Sequence, residues 1–126
     1  MSAPVTVLVV DDEPLFRQAV VAVVAETEGF AVVAQVGTGE AAVEAAHRLQ
    51  PGLVIMDVNL PGIDGVEATR QVLAGASPPV VVLLSTYDEN LGVDLVAESG
   101  AAAYVTKSAF GPARLTAVWA GSARTG

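Results

Sequence analysis

The chain contains no cysteine and only one lysine. Without cysteine it forms no disulfide and offers no thiolate, as is usual for a cytoplasmic protein. Six basic residues stand against 14 acidic ones, for a net charge of −8, and the arginines are scattered. Because nucleic-acid-binding surfaces need clustered Lys and Arg, we expect no direct contact with DNA. No apolar run approaches the roughly 18 residues of a membrane span, and no secretory signal pattern opens the sequence. We therefore expect a cytoplasmic protein without membrane contact.

A regular alternation of strand-like and helix-like segments indicates the fold class. With 126 residues, the chain is long enough for one domain with a buried core. Short aliphatic runs bounded by Gly and Pro predict strands at 5–10, 30–35, 53–57, 80–85 and 101–105. Helical patterns predict helices at 15–28, 39–49, 65–73, 88–99 and 112–120, with Thr38 and Asp64 as N-caps. This alternation predicts an α/β fold, a parallel sheet with helices on both faces.

Polar side chains follow four of the predicted strands at the points where the apolar runs end. They are Asp11 and Asp12, Asp57, Ser85 and Thr86, and Lys107, the single lysine. Because ligands bind beyond the carboxyl ends of the strands in an open parallel sheet, we expect these side chains to gather at one edge. Three crowded carboxylates repel one another unless a divalent cation lies between them. Oxygen ligands without Cys or His favour Mg²⁺.

Asp57 has a second potential role, because a carboxylate can attack phosphorus and form an aspartyl phosphate. Such chemistry needs charge neutralisation, which Mg²⁺ and the Lys107 ammonium would supply. Ser85 or Thr86 would donate a hydroxyl hydrogen bond to a phosphate oxygen. Taken singly, each residue also has an ordinary reading: a helix-capping carboxylate, a surface lysine, or a hydroxyl that satisfies backbone groups.

Four motifs stand in an order and at spacings that are specific in combination: DDE at 11–13, VIMDVNLPGIDG at 54–65, LLST at 83–86 and YVTK at 104–107. With them the chain resembles, over about residues 5–120, the receiver domain of bacterial two-component response regulators. The LSTYDEN segment is most similar to the NarL/FixJ subfamily, whose members usually carry a C-terminal helix-turn-helix domain of the LuxR type. The resemblance implies a flavodoxin-like, doubly wound sheet with strand order 2-1-3-4-5.

The resemblance also implies how the acidic residues work. Asp57 would accept a phosphoryl group from a sensor histidine kinase. Asp12 and Asp57 would ligate Mg²⁺ directly, together with the backbone carbonyl of Asn59, and Asp11 would act through water. Lys107 would contact the phosphoryl group. The domain would be no enzyme acting on external metabolites, because it would catalyse only its own phosphorylation and dephosphorylation.

Two further residues are implied to transmit the signal. Ser85 would follow the phosphoryl group and Tyr104 would swing inward behind it, which would remodel the surface of the fourth helix, fifth strand and fifth helix. Asn59, Thr86 and Tyr87 would tune the lifetime of the phosphorylated state. The output would be transcription through a helix-turn-helix domain outside this chain, and whether phosphorylation drives homodimerisation stays open.

The sequence departs from the family pattern in three places. Ser108 follows Lys107 where receiver domains usually have a cis-linked proline, so the isomer of this bond stays open; a cis bond before a non-proline residue costs about 2.5–4 kcal/mol. Thr86 is bulkier than the usual Ala or Gly. No helix-turn-helix follows the receiver at 1–120, since 121–126 is a small, polar tail or the start of a linker. We expect either a stand-alone receiver or a piece that ends at a linker.

Three other functions fit the sequence less well. An Asp-dependent phosphatase of the haloacid-dehalogenase type needs a second Asp two residues after the nucleophile, where this chain has Asn59. A flavin carrier on the same fold needs a Ser/Thr/Gly-rich phosphate loop, where this chain has DDEPLF. A degenerate receiver that works by protein contact alone is kept open by Thr86 and Ser108.

Overall fold

The computed structural model describes residues 3–86 and 89–123, with the backbone alone for 89–91 and 123. Five strands form one sheet: β1 Val5–Val10, β2 Phe30–Val36, β3 Leu53–Asp57, β4 Val80–Ser85 and β5 Ala103–Thr106. Neighbouring strands are parallel, and their order is β2-β1-β3-β4-β5. The predicted α/β fold with flavodoxin-like strand order is confirmed.

The helices lie between the strands much as the sequence predicts. They are α1 Pro14–Glu26, α2 Gly39–Leu49, α3 Gly65–Leu73, α4 Glu89–Ser99 and α5 Pro112–Ala123, and a 3₁₀ turn spans Lys107–Ala109. Both predicted N-caps are confirmed, because the Thr38 hydroxyl accepts a hydrogen bond from the Ala41 N–H and the Asp64 carboxylate accepts one from the Glu67 N–H.

The three inner strands β1, β3 and β4 are buried on both faces, because successive side chains alternate between two cores, whereas the edge strands β2 and β5 are only partly buried. In β1, Leu8 and Val10 face the core under α2 and α3, whereas Val7 and Val9 face the core under α1 and α5. The central strand β3 is buried along its whole length. This packing fixes the strand ends, so the residues that follow β1 and β3 occupy defined positions at the carboxyl edge of the sheet.

Several predicted boundaries differ from the structure by one to three residues, with the largest shifts in β5, α1 and α5. β5 begins at Ala103 and not at 101, because its pairing with β4 starts at Val82 opposite Ala103. α1 ends at Glu26, and the Thr27 hydroxyl donates a hydrogen bond to the Val23 carbonyl at its end. α5 continues to Ala123, past its predicted end at 120. Within the described residues, no helix combines the length and hydropathy that a bilayer span requires.

Candidate functional site

Two buried carboxylates meet at the carboxyl edge of the sheet. Asp11 directly follows β1 and Asp57 is the last residue of the neighbouring strand β3, and they are 1% and 3% exposed. Asp12, the next residue after Asp11, is exposed. One carboxylate oxygen from each of these three residues lies within 4.8 Å of the others. The structure therefore brings together the three acidic side chains that the sequence singles out.

Backbone hydrogen bonds orient the two buried carboxylates. Oδ1 of Asp11 accepts a hydrogen bond of 2.9 Å from the Glu13 N–H, and Oδ1 of Asp57 accepts one of 3.2 Å from the Asn59 N–H. Each carboxylate thus holds the loop that follows its strand with one oxygen and presents the other to the site. Oδ2 of Asp11 is fully buried and is paired with the Lys107 ammonium. A buried carboxylate oxygen requires a cationic partner of this kind.

The single lysine reaches this centre from the 3₁₀ turn that follows β5. Its Nζ lies 3.2 Å from Oδ2 of Asp11 and 3.5 Å from Oδ2 of Asp57, and the Lys107 side chain is 13% exposed. No peptide bond in the described segments is cis, so the Lys107–Ser108 bond is trans. Lys107 begins the 3₁₀ turn, and the Phe110 N–H donates a hydrogen bond to its carbonyl. A trans bond before Ser108 is therefore compatible with an ammonium placed between the carboxylates.

The electrostatics of the site follow from burial and from unequal charge. Burial raises the pKa of Asp57 to about 6, with help from the negative charge of Asp11, whereas the Lys107 ammonium and the Asn59 N–H oppose the rise. Burial alone would lower the pKa of Lys107, but the carboxylates of Asp57 and Asp11 outweigh it and raise that pKa. Three carboxylates face one ammonium. This excess of negative charge and the all-oxygen donor set fit Mg²⁺.

The hydroxyl residues lie at the same edge. Ser85 ends β4 and is fully buried, and Thr86 after it is exposed. β4 adjoins β3, with Leu84 opposite Asp57 in the ladder. Asn59 lies in the exposed part of the loop after β3. Tyr87 was also predicted to lie here, but it falls outside the described residues.

Tyr104 lies on β5 and is partly buried on the side of the sheet that α4 covers. A Cβ atom added to Gly92 of α4 would come within 2.4 Å of the Tyr104 ring. The ring therefore packs directly on the α4 backbone, and this contact depends on the absence of a side chain at position 92. Arg114 and Val96 line the same groove, which has a volume of about 410 Å³.

Two residues in α1 contribute contacts that the sequence analysis missed. Arg17 donates one hydrogen bond of 2.9 Å to the Asp11 carbonyl and another of 3.1 Å to the Gln35 side chain, so it ties the turn after β1 to β2. The ring of Phe16 lies under the Lys107 ammonium. Both residues lie in the first turn of α1, directly after the acidic residues 11–13. Their closeness to those residues in sequence is the feature from which a role at the site could have been predicted.

Comparison with known proteins agrees with this geometry. The family model for the response regulator receiver domain matches residues 7–119. The response regulator GacA of Pseudomonas aeruginosa is 40% identical over 105 residues, which are 83% of this chain and 49% of that protein. The transcriptional regulatory protein DegU of Brevibacillus brevis is 35% identical over 114 residues, 90% of this chain and 48% of that protein. The chain thus spans about half the length of these relatives.

Solved structures show the same fold. The signal receiver domain of the response regulator NarL from Mycobacterium tuberculosis superposes with a TM-score of 0.82 at 29% identity, covering 93% of this chain and 98% of that one. A two-component response regulator of the LuxR family from Aurantimonas superposes with a TM-score of 0.81 at 30% identity, covering 91% of this chain and 81% of that one. The similarity to the NarL and LuxR groups agrees with the subfamily that the sequence motifs indicate.

Proposed function

The chain belongs to the response regulator receiver family, and we propose that it accepts a phosphoryl group on Asp57 from a sensor histidine kinase. The observation that carries this proposal is the position of the Asp57 carboxylate. It is buried at the end of β3, beside the carboxylates of Asp11 and Asp12 and within 3.5 Å of the Lys107 ammonium. A carboxylate in such surroundings is held where a nucleophile and a charge-neutralising cation can both act.

In the proposed transfer, a carboxylate oxygen of Asp57 forms a bond to phosphorus as the phosphorus–nitrogen bond of the donor histidine breaks. The imidazole leaves with the electron pair and takes up a proton. The Lys107 ammonium neutralises charge on a phosphoryl oxygen, and the Ser85 hydroxyl donates to another. Hydrolysis by water in line with the new bond reverses the modification, at a rate that Asn59 and Thr86 would tune, as would Tyr87.

Mg²⁺ is the cofactor that we propose for this site. Asp11, Asp12 and Asp57 would hold it with the Asn59 carbonyl, and when bound it would neutralise phosphoryl oxygens as a Lewis acid. The surplus of carboxylates over cationic groups supports this assignment, because three carboxylates share the single Lys107 ammonium. The aspartates of the chain therefore do two things: they supply the nucleophile and they supply the binding site for its neutralising ion.

We further propose that the output leaves through β5. Ser85 and Tyr104 would move together on phosphorylation, and the contact of Tyr104 with Gly92 would carry the change to α4. The protein would work in the cytoplasm, with transcription as the controlled process, through a helix-turn-helix domain that binds DNA. A homodimer linked to phosphorylation is one way to reach that output. The relatives named as transcriptional regulators support this assignment.

Intact mass spectrometry after incubation with Mg²⁺ and acetyl phosphate tests the proposal. We expect the wild-type chain to gain one phosphoryl group and Asp57→Asn to gain none. Asp64→Asn is the matched control, because Asp64 is an exposed N-cap and an asparagine caps equally well. Failure of the wild-type chain to gain mass would contradict the proposal, and so would a gain that persists in Asp57→Asn.

A further inference from the structure

The ammonium of Lys107 has a third neighbour besides the two carboxylates. Its Nζ lies 4.3 Å from the centroid of the Phe16 ring, over the ring face. Phe16 itself is held by packing against the core under α1 and α5. We propose that Phe16 is a positioning residue whose ring face holds the Lys107 ammonium beside Asp11 and Asp57. Its consequence for phosphoryl binding rests on the proposed function, whereas the contact itself does not.

The carboxylates alone fix Lys107 weakly. The Nζ–Oδ2 distances of 3.2 and 3.5 Å are longer than the roughly 2.7–2.9 Å of a strong charge-assisted hydrogen bond. A lysine side chain also has considerable rotamer freedom, which must be restrained for the ammonium to stay in one place. The aromatic face carries negative potential and attracts a cation most strongly where water is excluded. With Lys107 only 13% exposed, this condition holds.

The surroundings of the ring allow the contact to be changed without rebuilding the core. A small cavity of about 50 Å³ borders the ring and the lysine stem, between α1 and the 3₁₀ turn; its lining comprises Phe16, Ala19, Val20, Val23, Lys107 and Phe110. Small substituents on the ring therefore have neighbouring space. Phe30 is a matched control position, because it packs against the same core but meets Trp119 edge-on, with ring centroids 6.1 Å apart.

Nuclear magnetic resonance of Lys107 tests the contact directly. The chain has one lysine, so lysine-selective labelling gives a single set of side-chain signals. Protons above an aromatic face are shielded, and we expect the terminal side-chain signals of Lys107 to lie upfield of a free lysine. Phe16→Leu should move them toward the free position, and Phe30→Leu should leave them in place. Signals that stay unchanged in Phe16→Leu would overturn the proposal.

Fluorination separates the electrostatic role of the ring from its bulk. Mono-, di- and trifluorophenylalanine at position 16 keep the shape of the ring but weaken the negative potential of its face. With Mg²⁺ present, we expect the Kd for beryllofluoride to rise stepwise along the series, by roughly two- to thirtyfold in total. The same series at position 30 should leave the Kd unchanged. A flat response at position 16 would overturn the proposal.

The two measurements also distinguish this proposal from the function on which it rests. If the wild-type chain binds no beryllofluoride, the phosphoacceptor function fails, and the shielding of Lys107 still decides whether the ring holds the ammonium. If beryllofluoride binds but the shielding is absent in the wild-type chain, the function stands and the role of Phe16 is wrong.

Discussion

Replacement of Asp57 by Asn removes a buried charge, and we expect this change to stabilise the fold at neutral and basic pH. Burial and the neighbouring charge of Asp11 raise the pKa of Asp57 from 3.8 to about 6, although Lys107 and the Asn59 N–H act against the rise. Such a rise corresponds to about 3 kcal/mol. The raised pKa of Asp57 already includes the favourable attraction of Lys107, so the value of about 3 kcal/mol is the net cost after the loss of that ion pair in Asp57→Asn.

The sign of the pH dependence follows from proton binding. Below pH 3.8 the carboxyl group is protonated in both the folded and the unfolded chain and costs the fold nothing. Between 3.8 and about 6 the unfolded chain releases its proton first, so the free energy of unfolding falls as the pH rises. Above a pH of about 6 Asp57 is ionised in both states, and the folded chain bears the full cost of burying its charge. We expect Asp57→Asn to be more stable than the wild-type chain by about 3 kcal/mol at pH 8 and by about half of that at pH 5.

Urea unfolding at pH 5 and pH 8, in chelator, measures this difference. Asp64→Asn removes the same formal charge from an exposed cap and should change the free energy of unfolding by less than about 1 kcal/mol, with little pH dependence over this range. Mg²⁺ at a hundredfold excess over its Kd should stabilise the wild-type chain by about 2.7 kcal/mol, which would nearly remove its stability difference from Asp57→Asn. An advantage of equal size at both pH values, or a less stable Asp57→Asn at pH 8, would refute the reasoning.

Two further substitutions test the path from the site to α4. Lys107→Ala should keep part of its phosphorylation by acetyl phosphate but lose any phosphorylation-linked dimerisation in size-exclusion chromatography; unchanged dimerisation would remove Lys107 from the switch. Gly92→Ala places a Cβ 2.4 Å from the Tyr104 ring and should destabilise the fold by about 1–3 kcal/mol in urea unfolding. Gly121→Ala is its control, because the new Cβ meets nothing within 4 Å and should stabilise α5 by about 0.5–1 kcal/mol; similar changes in both variants would contradict the contact.

The apolar runs predict much of the fold, because a strand that is buried on both faces of a parallel sheet has a continuous run of apolar residues. The sequence predicts β3 and β4 at their observed bounds, and it predicts that Asp11 and Asp57 lie together because each stands where a buried apolar run ends. The strand order, however, came from the family resemblance, since periodicity specifies strands and not their neighbours. β5 began later than predicted because Ala101 is as apolar as a strand residue, yet the ladder with β4 starts at Ala103.

Side-chain contacts between elements that are distant in sequence produce no such sequence pattern. In the sequence, Phe16 is one of several apolar residues on one face of α1, and Arg17 is one of several scattered arginines. Their roles appear only when α1 is placed beside β2 and the 3₁₀ turn, a placement set by tertiary packing. The isomer of the Lys107–Ser108 bond could not be predicted from the sequence either. Serine at position 108 is compatible with the trans bond that the structure shows, but the family pattern at this position has a cis bond.

The position of Lys107 explains why a signal from the site would leave through β5. Asp11 directly follows β1 and Asp57 ends the adjacent strand β3, both strands being buried on two faces, whereas Lys107 directly follows the edge strand β5. Movement of the ammonium toward a phosphoryl group would therefore act on the edge strand, which has fewer neighbours than β3. Tyr104 lies three residues before Lys107 on that strand and touches α4 at Gly92. We therefore expect the response to concentrate in β5 and α4 while β1 and β3 stay in place, which hydrogen exchange of the beryllofluoride-bound chain would measure.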